Sequence, residues 1–166
     1  ARADGSGTNA LEPRVPTLSF DSPLGRMTVT QEGENITALT WGGRFDGRDE
    51  TPLLCEARAQ IAAYFAHRLQ RFDLPMSCPS TAFQHGVLEA MFSIPFGETK
   101  TYGEIADYVQ GSAQAVGRAC GANPIPILIP CHRVIGASGL GGFSGAGGVE
   151  SKVFLLRHEG AAGLLL

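Results

Sequence analysis

At 166 residues, with 43% of them apolar and 17% charged, the chain makes one or two small domains with enough apolar content for a real core, which excludes a disordered protein. A formal net charge of −3 offers no broad basic face to neutralise many phosphates, and charge alone favours a small-molecule protein over a nucleic-acid binder. No apolar run nears the ~20 residues that cross a bilayer, no charged-then-apolar leader is visible, and Cys55, Cys78, Cys120 and Cys131 form neither a C-x-x-C pair nor a zinc spacing, so reduced thiols in a cytosol and no bound metal are expected.

Residues 1–16 mix Gly, Ser, Asn and Pro and read as a flexible lead-in; the start at Ala1 rather than methionine leaves open an upstream segment. Residues 17–22, 26–31 and 36–41 read as three strands separated by the turns Pro23-Leu24-Gly25 and Gly33-Glu34-Asn35, an antiparallel meander. Residues 42–50 are polar and Gly-rich, a loop. A helix over 53–70 follows, with Leu54, Ala57, Ile61, Tyr64, Phe65 and Leu69 on one apolar face that the meander can cover. His67 on this helix has no second ligand at ligand spacing and reads as a surface histidine. Residues 72–80, with Pro75 and Pro79, read as the linker that ends an N-terminal α/β domain over 17–80.

Thr81 and Gln84 form a capping box for a helix carrying Phe83, Val87, Leu88, Met91 and Phe92, broken at Pro95-Phe96-Gly97. A second box, Thr101 with Glu104, opens a short helix to about Val109. Gln110-Gly111 turns the chain, and Ser112 caps a third helix that Asn123-Pro124 stops. Two short helices about a tight turn make a helix-turn-helix pattern, weak evidence by itself.

Residues 125–130 are too apolar for a surface loop and lead into Pro130-Cys131-His132-Arg133-Val134. A thiol at the end of a buried run is normally inert, but an imidazole that can take its proton activates it. Residues 137–148 are dominated by glycine without a following Gly-Lys-Ser/Thr, so backbone shaped to approach a flat ligand fits better than a phosphate loop. A last helix over 152–159 carries Val153, Leu155 and Leu156 and ends at Gly160. Glu159 sits at its negative end, where a carboxylate is disfavoured unless it has a task such as orienting His132.

The segment from Asn123-Pro124 to Pro130-Cys131-His132-Arg133-Val134-Ile135-Gly136 resembles the active-site segment of O6-alkylguanine-DNA alkyltransferases, and the resemblance extends from about Thr81 to Gly160. It implies an α/β (α+β) fold: a small N-terminal three-stranded antiparallel sheet with a helix, then a mostly helical C-terminal domain over 81–166 with a helix-turn-helix and a buried cysteine site. It implies a single-turnover protein that moves the alkyl group of O6-alkylguanine in double-stranded DNA, with O4-alkylthymine a further candidate, onto its own cysteine after flipping the base. SN2 attack at carbon needs a soft nucleophile, a base for the thiol proton, an acid group to fix that base and a donor for the departing guanine.

Carried over residue by residue, the resemblance makes Cys131, His132 and Glu159 catalytic, with the thiol proton passing through a water. Asn123 braces the turn before the site, and Tyr102 donates to guanine N3 and helps rotate the nucleotide out. Val134 offers a carbonyl, Phe143 a stacking wall where tyrosine is common, and Ser144 an N–H. Cys120 matches a pocket-lining position. The helix from Ser112 is the minor-groove recognition helix, giving Ser112, Gln114, Ala115, Arg118 and Arg133 as DNA-binding residues. The family usually has Arg-Ala-Val where this chain has Gln114-Ala115-Val116, so the residue that fills the gap of the flipped base differs. No cofactor is implied; a monomer in the cytoplasm is expected. A cysteine hydrolase and a catalytically silent lesion sensor remain as alternatives, the second disfavoured by Cys131.

Overall fold

Strand β1 (Thr17–Ser22), β2 (Gly25–Glu32) and β3 (Asn35–Trp41) form the antiparallel meander in the order β1-β2-β3, each hairpin closed by a two-residue loop. The computed structural model describes residues 15–41, 47–141 and 148–163, so most of the lead-in expected over 1–16 lies outside the described residues. Alternation sends Leu18, Met27, Val29 and Leu39 to one buried face, and a register irregularity between Thr30 and Gln31 lets Ile36 join them. Helix α1 (Pro52–Phe65) lays Leu54, Ala57, Ile61 and Tyr64 on the sheet. It starts one residue before the expected position, because Thr51 caps it by accepting from Leu54 N and Pro52 takes the first turn.

The same helix ends at Phe65, not at 70. His67 adopts φ +61°, and the Arg68 N–H bonds back to Ala63 O at 2.8 Å, so the chain leaves the helix in a left-handed turn. Leu69 still packs against the core from beyond that turn, which is why the apolar spacing seemed to continue.

Both sheet edges are covered, as unpaired strand edges require. On the β1 side, Ser19 N donates to Gly47 O and Asp49 N to Thr17 O, both at 2.9 Å. On the β3 side, Ile36 pairs with residues 75–77, and Leu39 N donates to Pro124 O at 2.9 Å. The segment 72–80, expected as a linker, is therefore partly a strand partner, with Phe72 and Leu74 buried.

The C-terminal part holds α2 (Ala82–Phe92), α3 (Tyr102–Val109), α4 (Ala113–Gly121) and α5 (Val149–Glu159). Thr81 Oγ1 accepts from Gln84 N at 3.1 Å, and both halves of the Thr101–Glu104 box are made. Gln110, at φ +60°, turns the chain, and Ser112 caps α4, completing the helix-turn-helix. Two short strands absent from the sequence reading, β4 (Lys100–Thr101) and β5 (Val134–Ile135), pair in parallel and tie the start of α3 to the segment after Cys131. Helix α5 begins three residues before the expected Lys152 and ends as expected at Gly160, whose φ of +66° suits glycine. No helix among the described residues is long and apolar enough to cross a membrane.

Candidate active site

Asn123 organises the approach to Cys131. Its Oδ1 accepts from Ile125 N at 3.0 Å and its Nδ2 donates to Ile129 O at 2.9 Å, so one buried side chain holds both ends of the apolar loop. Ile127 within that loop takes φ +73°, which a β-branched residue adopts only when its surroundings impose it. The chain then enters a single 3₁₀ turn, Cys131–Arg133, with Cys131 only 4% exposed.

The turn aims its next two side chains at one carboxylate, Glu159 on α5. His132 Nε2 lies 2.7 Å from Glu159 Oε2. Arg133 straddles the group, Nε at 2.9 Å from Oε1 and Nη2 at 3.0 Å from Oε2, while Nη1 donates to Ile94 O at 2.6 Å. Tyr64 Oη donates to Oε2 at 2.6 Å and Gly97 N to Oε1 at 3.1 Å. A carboxylate at a helix C-terminus is thus satisfied from other elements, which removes the objection to its position.

Burial acts on Glu159 to raise its pKa. The hydrogen bonds and charge of His132 and Arg133 outweigh it and hold the carboxyl well below the usual carboxylate range. Arg133 is permanently cationic and so supplies the counter-charge whatever the state of His132. Burial lowers the His132 imidazole, against the pull of Glu159 and with help from Arg133 and Lys152. His132 is therefore neutral at neutral pH, with Nε2–H donating to Glu159 and Nδ1 left as the acceptor. That Nδ1 is buried and has no hydrogen-bond partner among the described residues.

Lys152, wholly buried, faces the site from the first half of α5. Its Nζ donates to Val134 O at 2.5 Å, lies 3.5 Å from Tyr102 Oη and stands 5.6 Å from the Tyr102 ring centre. Burial pulls its ammonium down to about 8, opposed by the charges of Cys131 and Cys120. Gly141, at φ +74°, runs so close to Tyr102 that a Cβ there would lie 2.6 Å from the hydroxyl, so only glycine fits.

Residues 82–161 match the family model described as the DNA-binding domain of 6-O-methylguanine DNA methyltransferase, and residues 18–78 match the one described as its ribonuclease-like domain. The chain belongs to this methyltransferase family. It is 42% identical over 150 residues to the methylated-DNA–protein-cysteine methyltransferase of Mycobacterium tuberculosis strain H37Rv, covering 85% of this chain and 90% of the relative. It is 49% identical over 153 residues to the Methanosarcina acetivorans protein of the same name, covering 86% and 96%. The crystal structure of M. tuberculosis OGT in complex with DNA superposes with a TM-score of 0.78 at 42% identity, covering 88% of this chain and 93% of that one.

In this family member, Cys131, His132, Glu159, Tyr102, Asn123 and Val134 all lie in one region. Phe143 and Ser144 lie outside the described residues. Ser112, Gln114 and Arg118 are exposed on α4, and Ala115 is half-buried. Arg133 corrects the expectation of a DNA contact: it is buried, and each of its three guanidinium nitrogens donates inside the protein, to Glu159 or Ile94 O, which makes it an internal ion-pair partner and not a surface phosphate contact. Cys120 packs as a small hydrophobe with Sγ 3.5 Å from Met91 Sδ, and burial pushes its thiol up to about 12.

The sequence reading missed Lys152 and Tyr64. Lys152, Leu155, Leu156 and Glu159 share the buried face of α5 at helical spacing, a signal that was available. Tyr64 was read only as part of an apolar face. The corrected role of Arg133 has a measurable consequence. Arg133→Ala should lower stability by about 3–5 kcal/mol, because it strands the buried Glu159 charge. Urea unfolding checks this; a loss under about 1 kcal/mol would mean that the pair behaves like an exposed one.

Proposed function

We propose that this protein repairs DNA by moving the alkyl group of O6-alkylguanine, with O4-alkylthymine a further candidate, irreversibly to Cys131. The supporting observation is the state of His132: Nε2–H committed to an ionised Glu159, Nδ1 a buried acceptor, one residue from a buried cysteine. In this reading the thiol proton passes through a water to Nδ1. The thiolate attacks the alkyl carbon; the S–C bond forms as the C–O6 bond breaks, and the electron pair leaves with guanine. Tyr102 donates to guanine N3, with the Lys152 ammonium beside its hydroxyl. Asn123 braces the turn that presents the thiol. Val134 O offers an acceptor to the base. The thioether is stable, so no step returns the thiol. Intact and peptide mass spectra after mixing with a lesion-bearing duplex test the assignment: the added mass must lie on Cys131.

Double-stranded DNA is the partner in this reading, bound by a monomer in the cytoplasm. The chain divides at its Pro-containing segment into parts 17–80 and 81–166, with α4 of the second part in the minor groove. A relative crystallised with DNA supports this. So does Gly117, an interior residue of α4 that costs about 1 kcal/mol relative to alanine, although a Cβ there would meet nothing within 4 Å. Packing within the protein does not call for that glycine; close approach to a groove does. Extruding the base costs a few kcal/mol, and glutamine fills the resulting gap less well than arginine.

Arg118 is exposed one turn beyond Gln114 on the same face. Gln114→Ala should therefore cost little duplex affinity, Arg118→Ala more, and Gln114→Arg should tighten binding. Fluorescence anisotropy with a lesion duplex measures all three. If Gln114→Ala loses repair as severely as loss of Tyr102 does, glutamine itself fills the gap.

A further inference from the structure

Glu159 receives five hydrogen bonds, one more than a carboxylate's roughly four lone-pair positions. Oε2 carries three of them, from Tyr64 Oη at 2.6 Å, His132 Nε2 at 2.7 Å and Arg133 Nη2 at 3.0 Å. The shortest of the five comes from a residue 95 positions away, on α1 of the N-terminal part. We propose that Tyr64 is a positioning residue of the reaction: its hydroxyl fixes the Glu159 carboxylate and competes with His132 for Oε2, limiting how strongly Glu159 draws a proton onto His132. The proposal rests on the roles given above to Cys131, His132 and Glu159.

Tyr64 is fully buried, and burial first, then the Glu159 charge, keeps its phenol protonated, so it can only donate to the carboxylate. Its ring also serves the core, with centroids 5.1 Å from Phe65, 5.4 Å from Phe72 and 4.8 Å from His158. Phenylalanine keeps every one of those ring contacts and removes only the hydroxyl. Tyr64→Phe therefore separates the two roles.

The sign of the effect follows from the groups around the pair. His132 must be neutral at Nδ1 to accept the thiol proton. Its cationic form is favoured by Glu159 and disfavoured by burial, Arg133 and Lys152. Charge that Glu159 shares with Tyr64 is withdrawn from His132. Without the hydroxyl that charge returns to Oε2, His132 holds a proton to higher pH, and the acid limb of the rate profile moves upward. The other titrating neighbours are little altered. His158 bonds to the Tyr64 backbone carbonyl at 2.7 Å, which phenylalanine retains, and stacks on His67 at 4.0 Å between centroids. Cys131 and Lys152 are the remaining titratable neighbours, and Lys152 is already counted against the His132 cation.

The test is the first-order rate constant of methyl transfer from saturating O6-methylguanine duplex, measured across roughly pH 4.5 to 9, a window extended well below an ordinary imidazole because burial lowers His132, for wild type and Tyr64→Phe. Because each chain reacts once, the amplitude counts folded protein and the rate constant reports the site, so even a small folded fraction suffices. Tyr64→Phe should displace the acid limb upward by about one unit, making the variant about tenfold slower below the limb and within about threefold of wild type on the alkaline plateau. In a His132→Ala background the same change should leave the profile unmoved. Profiles that superimpose after scaling, or an acid limb displaced downward, overturn the proposal and leave Tyr64 a core aromatic. No transfer to Cys131 by the wild type overturns the roles beneath it, and this proposal with them.

Discussion

Mixed with an excess of duplex carrying O6-methylguanine, the protein should gain one methyl group per chain, about 14 Da, on Cys131 and then stop. Sulfur is the softest nucleophile in the site, and a thioether offers water no easy leaving group. The described residues hold no group of three or more His, Cys, Asp or Glu suited to a metal, and the chemistry proposed calls for none. Cys131→Ala should take up nothing yet still bind the duplex, since phosphate and groove contacts do not involve the thiol. Peptide mass mapping fixes the site, and counting product against protein fixes the stoichiometry. Turnover beyond one equivalent would point to a cysteine hydrolase. Binding with no mass gain would point to a lesion sensor that has kept its cysteine.

His132→Ala should slow methyl transfer at neutral pH by about 10²–10⁴-fold, the usual worth of a positioned general base. The variant loses the buried acceptor Nδ1 but leaves Glu159 with Arg133, Tyr64 and Gly97 as donors. The fold should therefore persist, and stopped-flow rates at saturating duplex isolate the chemistry. Glu159→Gln should also slow transfer, but it removes the counter-charge of the buried Arg133, so rate and stability fall together. A His132→Ala protein as fast as wild type would mean that the thiol is activated by another group, with the Lys152 ammonium first in line.

Much of this site could be read from residues alone, for identifiable reasons. Strand alternation and tight turns are local, so the meander was legible to within a residue or so. Cap chemistry is local too, and Thr101, Glu104 and Ser112 fixed the starts of α3 and α4. Cys131 and His132 stood out because they sit together in an unusual apolar context. What failed was non-local. Arg133 looks like any surface arginine until the fold brings Glu159 to it from another helix. Tyr64 and Lys152 looked like core spacing and an ordinary helix start, because their partners lie far away in sequence. The end of α1 was misjudged because Leu69 keeps the apolar period after the backbone has already turned.

The wide dispersal of the groups around Glu159 has a consequence during synthesis. Synthesis makes Cys131 and His132 before Lys152 and Glu159. Until α5 docks, His132 has no carboxylate to fix its tautomer, and Cys131 is an ordinary, mostly protonated thiol. Contacts that join residue 64 to residue 159 form late, because long loops must close first. On the proposed reading the alkyl-accepting site is complete only when the last helix docks, so assisted transfer to a sulfur that can be used only once belongs to the finished fold.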